Sequence, residues 1–375
     1  MKLLQRASAW RELFAGDRLP DPTAWPPVLS PLQQALTALG AEPDLAHVHA
    51  WRLSLVDALD RLDLPAWRIS QLVSDLNDWL YRRAITLSLE EMRSRGWGEP
   101  PVAFCVLTLG SAARHESLLG PDQDNAMIIA DYPDARHVEI DGYFQALGER
   151  FTARLADAGI PLCPGHVMAR WPMWRKRLGE WDAQLAIWTA ERRVKRVQQA
   201  NILLDFQPVY GDKTLAETLR DRVVALMPRA HLFLDEMEAL LNELPVALDR
   251  LGRLRSGDAA APHGRALDLK HGGVLPLVNA VRLLALRHGV RSSATRERLV
   301  ALVLAEALTA DQARTLTAAL ERLQALLLES QRRALAEGRA PDGWVDLDRL
   351  DEAQRLLLRH DLGIIRRLVR EAKTQ

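Results

Sequence analysis

Residues 107–129 read Leu107-Thr-Leu-Gly110-Ser111-Ala-Ala-Arg114-His115-Glu116-Ser-Leu-Leu-Gly-Pro-Asp122-Gln-Asp124-Asn125-Ala-Met-Ile-Ile129. A short apolar run, Ala103 to Leu109, has the profile of a buried strand. Gly110-Ser111 breaks it. Glycine has no side chain to hold a ligand away from the backbone. A helical turn over Ala112 to Leu118 would then aim free N–H groups at an anion, which suits phosphate. Asp122 lies eleven residues beyond Ser111, Asp124 two further on, and Asp124 to Ala130 reads as a second strand. Residues two apart in a strand share a face, so both carboxylates can point at one cation. Like charges that close repel unless a cation sits between them. Mg²⁺ takes such oxygens together with substrate phosphates, and Mn²⁺ would serve alike.

Working outward, residues 135–158 predict a helix closed by Gly159 and Pro161, and Trp171 to Ala190 predicts a tryptophan-rich one. Trp171, Trp174, Trp181 and Trp188 then form a packing stripe on one helix. Asn201 to Val209 is a third strand candidate. Asp205 interrupts its apolar run, and a charge there is costly unless it is paired or bound to metal. Two readings stand: a third metal ligand, or a buried partner for an arginine. Three carboxylates from neighbouring strands could hold two metal ions, one activating the attacking oxygen and one clamping a triphosphate.

Before this α/β block, proline punctuation between Leu19 and Pro31 predicts an irregular docked segment. A long helix follows from about Pro65 to Arg95, with Leu72, Leu76, Leu80, Ala84 and Leu87 at helical spacing and a stop at Gly96, Gly98 and Pro100-Pro101. From about Thr214 the pattern is helical to the end, broken by loops at Ser256 to Gly273 and Gly338 to Gly343. Val278, Val281, Ala285 and His288 share one helix face. The expected fold is α+β: an N-terminal helical segment over 1–64, a small mixed-sheet domain over 65–213, and a C-terminal helical bundle over 214–375.

Bulk properties narrow the function. Forty-nine basic residues balance forty-nine acidic ones, which disfavours a nucleic-acid coat. Two cysteines fit a reducing compartment rather than a disulfide framework. No long apolar stretch predicts a membrane span or signal peptide, so a cytoplasmic protein is expected. Walker and dinucleotide glycine signatures are missing, and no zinc spacing occurs. His115 reads as a surface residue. Glu116 reads either as a solvated residue or as an ion-pair partner of Arg114. Cys163, before Pro164-Gly165-His166, reads as a structural turn, and Arg366, Arg367 and Arg370 as a solvated face.

The order of Gly-Ser, spacer and Asp-x-Asp is similar to the polymerase-β-like nucleotidyltransferase superfamily. GSAARHESLLGPDQDNAMII resembles more closely the bacterial nucleotidyltransferase family related to the enzyme that uridylylates the PII signalling protein. The likeness extends through LCPGHVMARWPMWRKRLGEW (162–181), ILLDFQPVYGD (202–212) and DLKHGGVLPLVNAVRLLALRHGV (268–290). By this resemblance Gly110, Ser111, Arg114 and Lys270 would contact a nucleoside triphosphate. Asp122, Asp124 and Asp205 would bind Mg²⁺ or Mn²⁺ and carry the catalysis. Asn125 would support the acidic strand, and the C-terminal helices would bind substrate. The implied reaction is metal-dependent transfer of a nucleoside monophosphate to an acceptor hydroxyl, on a protein or a small molecule, with pyrophosphate leaving. Two departures stand out: Ala113 where relatives commonly have glycine, and Gln207 where they often have arginine. Gln207 keeps open a catalytically weak nucleotide-sensing module in signal transduction. A scaffold with a vestigial cleft is the remaining alternative, disfavoured by the intact acidic triad.

Overall fold

A computed structural model describes Phe14 and residues 27–40, 44–190, 201–257, 261–262 and 264–374. The chain divides into two compact units, Met1–Ala183 with Asp205–Leu219, and Gln184–Leu204 with Arg220–Gln375. The fold is α+β. Most of the proline-rich stretch after Leu19 lies outside the described residues, whose first helical turn is a 3-10 segment at Pro27–Leu29.

The first unit is built on a four-stranded sheet of β1 (Phe104–Leu109), β2 (Asn125–Ile129), β3 (Arg175–Arg177) and β4 (Phe206–Gly211), in the order β3-β2-β1-β4. β1 runs antiparallel to both β2 and β4, and β2 runs parallel to β3. Every residue of β1 and β2 is buried, which explains why both read as unbroken apolar runs. β4 carries Pro208, which cannot donate to a ladder and fits an edge strand. A register shift falls between Val106 and Leu107 opposite it.

Helices α1 (Ser30–Leu39), α2 (Leu45–Arg61) and α3 (Ala66–Ser94) precede the sheet. The apolar spacing of α3 buries Leu72, Leu76, Leu80 and Ala84 against α2 and α5 (His137–Asp157). Its end is a Schellman motif: Gly96 at φ +82° donates to the Arg93 carbonyl, and Trp97 N–H donates to Met92. The predicted turn after β1 is a single helical turn, α4 (Gly110–Ala113), starting two residues earlier than expected.

Two expectations about strands need correction. Residues 171–190 are not one helix. A 3-10 turn at Pro172–Trp174 and β3 precede α6 (Leu178–Ala190), so only Trp181 and Trp188 share a helix. The Arg-Lys-Arg strand looks polar, yet Arg175 is buried by a two-pronged contact with Asp141 (2.9 and 3.1 Å) and bonds to the Ala169 and Arg170 carbonyls. Nor does Asp205 lie inside a strand: Asn201 to Leu203 are helical and β4 begins at Phe206. Leu203 and Leu204 are apolar because they are buried, and a short apolar run does not by itself distinguish strand from helix end.

In the second unit, α7 (Lys213–Leu226, begun in the first) and α8 (His231–Leu240) lead to α9 (Leu275–Arg287). α9 packs against α10 (Thr295–Leu304) and α12 (Glu352–Glu371), and α12 also meets α11 (Ala310–Ala336). Almost all of α9 is buried, which its continuous apolar sequence requires. Both α11 and α12 begin with a capping box, Thr309/Gln312 and Asp351/Gln354. Of the two loops expected here, Gly338 to Gly343 is irregular as expected, while the stretch from Ser256 to Gly273 contains ordered elements. Ala266–Asp268 (β5) pairs with Trp344–Asp346 (β6), and a π-helical turn spans Lys270–Val274. Gly272 fits because any Cβ would lie 2.6 Å from that of Ala247.

Gly211 closes the sheet at φ +88°, where a Cβ would fall 2.2 Å from the Phe104 carbonyl oxygen. Gly211→Ala must both strain the backbone and push β4 from β1. We expect a loss of roughly 2 kcal/mol or more of stability, read as a lowered urea midpoint.

Candidate active site

The site grows from the end of β1. Leu109 N–H donates to the Asp124 carbonyl (2.9 Å) and Gly110 N–H donates to the Asp205 carbonyl (3.0 Å). Consecutive amides of the central strand therefore fix both acid-bearing segments. Gly110 sits at φ +58°, and a Cβ there would lie 3.4 Å from Asp124 Oδ2. The left-handed turn and the close carboxylate both favour glycine. Ser111 follows, exposed in the first turn of α4.

Residues 122–125 are extended, and their side chains alternate. Asp122 is exposed and Asp124 half-buried, whereas Gln123 and Asn125 are fully buried. Gln123 Nε2 donates to the carbonyls of Thr152 and Ile160, both at 2.8 Å. Asn125 donates to Tyr81 Oη (3.2 Å) and accepts from Ala169 N–H (2.8 Å). Asn125 is thus hydrogen-bonded beside the acidic segment, consistent with the supporting role the family resemblance implied. Gln123 was not singled out from sequence, although strict alternation in Asp-Gln-Asp-Asn carries the signal.

The segment opposite supplies a third group. Gln123 N–H donates to Pro161 (3.0 Å) and Asn125 N–H to Val167 (3.0 Å), so residues 161–167 lie along the acidic strand. Cys163 does begin a turn, with His166 N–H donating to its carbonyl at 3.0 Å. Its sulfur also joins the acids: ligand atoms of Asp122, Asp124 and Cys163 all lie within 4.8 Å of one another. Burial first, and the Asp124 charge second, push the Cys163 thiol up to about 11, and the thiol hydrogen-bonds Asp124.

Behind the turn is a buried ionic cluster. Arg114 Nε meets Glu116 (2.8 Å) and its Nη1 meets Asp205 (2.7 Å), with all three side chains nearly or wholly buried. Burial disfavours the guanidinium charge, but Glu116 and Asp205 outweigh it and raise its pKa above the ordinary value. Of the two readings of Asp205, the arginine partner is the one seen. Glu116 likewise holds Arg114. His115 is half-buried rather than fully on the surface: its Nδ1 lies 3.0 Å from Asp75 Oδ1 on α3, and its backbone takes a φ of +54°.

The structure thus gathers Gly110, Asp122 and Asp124, and places Arg114 with Asp205. The compact ligand group around Asp122 and Asp124 includes Cys163. Lys270 lies in the second unit, exposed at the start of the π-helical turn, its N–H donating to Gly343 at 3.1 Å. Nearby, Asp268 accepts from the His271 N–H and ring, both at 2.9 Å. Of the C-terminal arginines, Arg367 and Arg370 are exposed as expected, while Arg366 donates to the Asp249 carbonyl at 3.0 Å.

The site thus joins a glycine turn leaving a central strand to paired carboxylates, on a small sheet in an α+β chain. Comparison with known families makes the assignment specific. The family described as "Putative nucleotidyltransferase DUF294" matches residues 53–195. The family described as "Putative nucleotidyltransferase substrate binding domain" matches residues 231–375. Together these matches cover most of the chain, which belongs to this nucleotidyltransferase family. No curated protein gives a significant match. Among the described residues no helix is long and apolar enough to cross a membrane.

Arg114→Met removes the cation lying between two buried carboxylates. Breaking a buried pair from one side costs about 3–5 kcal/mol. Chemical denaturation should show a loss of that order. A loss under about 1 kcal/mol would mean the cluster adds nothing to the fold.

Proposed function

We propose that the protein is a metal-dependent nucleotidyltransferase that moves a nucleoside monophosphate from a nucleoside triphosphate to an acceptor hydroxyl, releasing pyrophosphate. The observation that carries this reading is the placement of Asp122 and Asp124 on one face of an extended segment beside the Gly110 turn. Paired carboxylates within 4.8 Å are a donor set that fits Mg²⁺ or Mn²⁺. Asp122 and Asp124 would hold the ion, which when bound supplies positive charge to the triphosphate and the departing pyrophosphate.

The remaining steps belong to the chain's own residues. Gly110 lets the triphosphate approach the backbone, and the exposed Ser111 hydroxyl donates to a phosphate oxygen. Asp205 takes the proton of the acceptor hydroxyl. In that role Arg114 exchanges its Asp205 contact for a phosphate oxygen, and Glu116 keeps hold of the guanidinium. A phosphate contact for Lys270 rests on the family resemblance alone. The matched substrate-binding domain supports a separate acceptor, a protein or a small molecule. Uridylyl or adenylyl transfer to a signalling protein is the form suggested by the likeness to the PII-modifying enzyme. Balanced charge disfavours a nucleic-acid acceptor.

One observation favours a second reading, a catalytically weak nucleotide-sensing module in signal transduction: Asp205 is engaged by Arg114.

Incubation with each of four α-phosphate-labelled nucleoside triphosphates, Mg²⁺ or Mn²⁺ and a cell extract separates the two. Label should pass to an acceptor with the unaltered protein and not with Asp122→Ala/Asp124→Ala. Binding of a triphosphate with no transfer in any lane would select the sensor. Transfer undiminished in Asp205→Asn would remove Asp205 from the chemistry.

A further inference from the structure

The sulfur beside the acidic pair is placed more deliberately than a packing cysteine needs to be. The chain has two cysteines, and they differ. Cys105 is inside β1, fully buried, its thiol near the Val106 carbonyl at 3.7 Å. Cys163 is 7% exposed and hydrogen-bonds Asp124. Both flanks of Cys163 are tied to the acidic strand, through Pro161 to Gln123 and through Val167 and Ala169 to Asn125. The turn between them includes His166 in the left-handed region, at φ +59°.

Resting on the metal site just described, we propose that Cys163 Sγ is its third protein ligand, and that it makes the site favour a divalent transition ion, Mn²⁺ included, over Mg²⁺. One ion with bonds of about 2.1 Å spans ligand atoms up to roughly 4–5 Å apart. The three donor atoms lie within 4.8 Å of one another. Two hard oxygens alone accept Mg²⁺ readily, whereas a sulfur adds affinity only for softer ions. As the metal–sulfur bond forms, the thiol proton leaves for solvent. The hydrogen bond to Asp124 is given up, and that carboxylate turns its lone pair to the same ion.

The test uses the full chain and ions alone. Titration with Cd²⁺, a thiophilic probe, should produce an ultraviolet sulfur-to-metal charge-transfer band that saturates at one equivalent. Cys105→Ser should keep the band and Cys163→Ser should lose it. Mn²⁺ binding, followed by electron paramagnetic resonance, should weaken about 10-fold or more in Cys163→Ser. Mg²⁺, read by competition, should change far less. No band in the unaltered protein, or a band surviving in Cys163→Ser, overturns the assignment. So does an unchanged Mn²⁺/Mg²⁺ preference in Cys163→Ser with a native near-ultraviolet dichroism spectrum. If Asp122→Asn abolishes Mn²⁺ binding while Cys163→Ser does not, only the sulfur ligand falls and the carboxylate site stands. If the unaltered protein binds neither ion, the metal site falls with it.

Discussion

Two adjacent backbone hydrogen bonds at the end of β1 organise the first unit. Through them Leu109 and Gly110 hold the carbonyls of Asp124 and Asp205. Backbone groups in a buried strand must be paired, so these bonds are required by the fold before any chemistry is considered. Their consequence is that two segments some eighty residues apart in sequence start from a common point. The carboxylates then diverge. Asp124 projects over the side-chain-free Gly110, while Asp205 turns back to the buried guanidinium of Arg114. Separate roles for the acids follow from which side of one strand end each occupies.

A second constraint is the alternation in residues 122–125. The buried amides of Gln123 and Asn125 spend their hydrogen bonds on the Thr152 and Ile160 carbonyls, the Ala169 N–H and the Tyr81 hydroxyl, which resist rotation of the extended segment about its axis. Asp122 and Asp124 are thereby held on the opposite, more exposed face. Preorganisation of this kind matters for charge stabilisation, because donors or acceptors already in place need not reorganise during a reaction. The same bonds deliver Cys163 to the acids, so a loop that reads as a plain Pro-Gly turn becomes part of the site.

Much of this was legible in the sequence where hydrophobic period and punctuation agreed. α3 announced itself by its apolar spacing and its Gly96 stop, and β1 and β2 by their unbroken apolar runs. The Gly-Ser turn and the facing aspartates followed from strand geometry. What stayed hidden depended on partners distant in sequence. β3 is an Arg-Lys-Arg tripeptide, and only the carboxylate of Asp141 makes Arg175 a core residue. Asp205 carried a real ambiguity between ion pair and metal ligand, because burial of a charge is visible in sequence while its partner is not. β5 and β6 are three residues each and lie among glycines, too short for a period to register. Cys163 had no local signal, since its neighbours in space belong to another strand.

The unequal borders of the main sheet have a consequence for association between molecules. One border is β4, where Pro208 lacks a donor and the ladder with β1 shifts register. Open strand edges invite pairing with other chains, and proline and bulges discourage it. The other border is β3, only three residues long, with Arg175 and Arg177 engaged by Asp141, Asp134 and Glu180. Neither edge offers a flat, regular template. Among the described residues, Pro208, the register shift and the shortness of β3 therefore disfavour growth of the sheet that carries the acidic pair by strand addition.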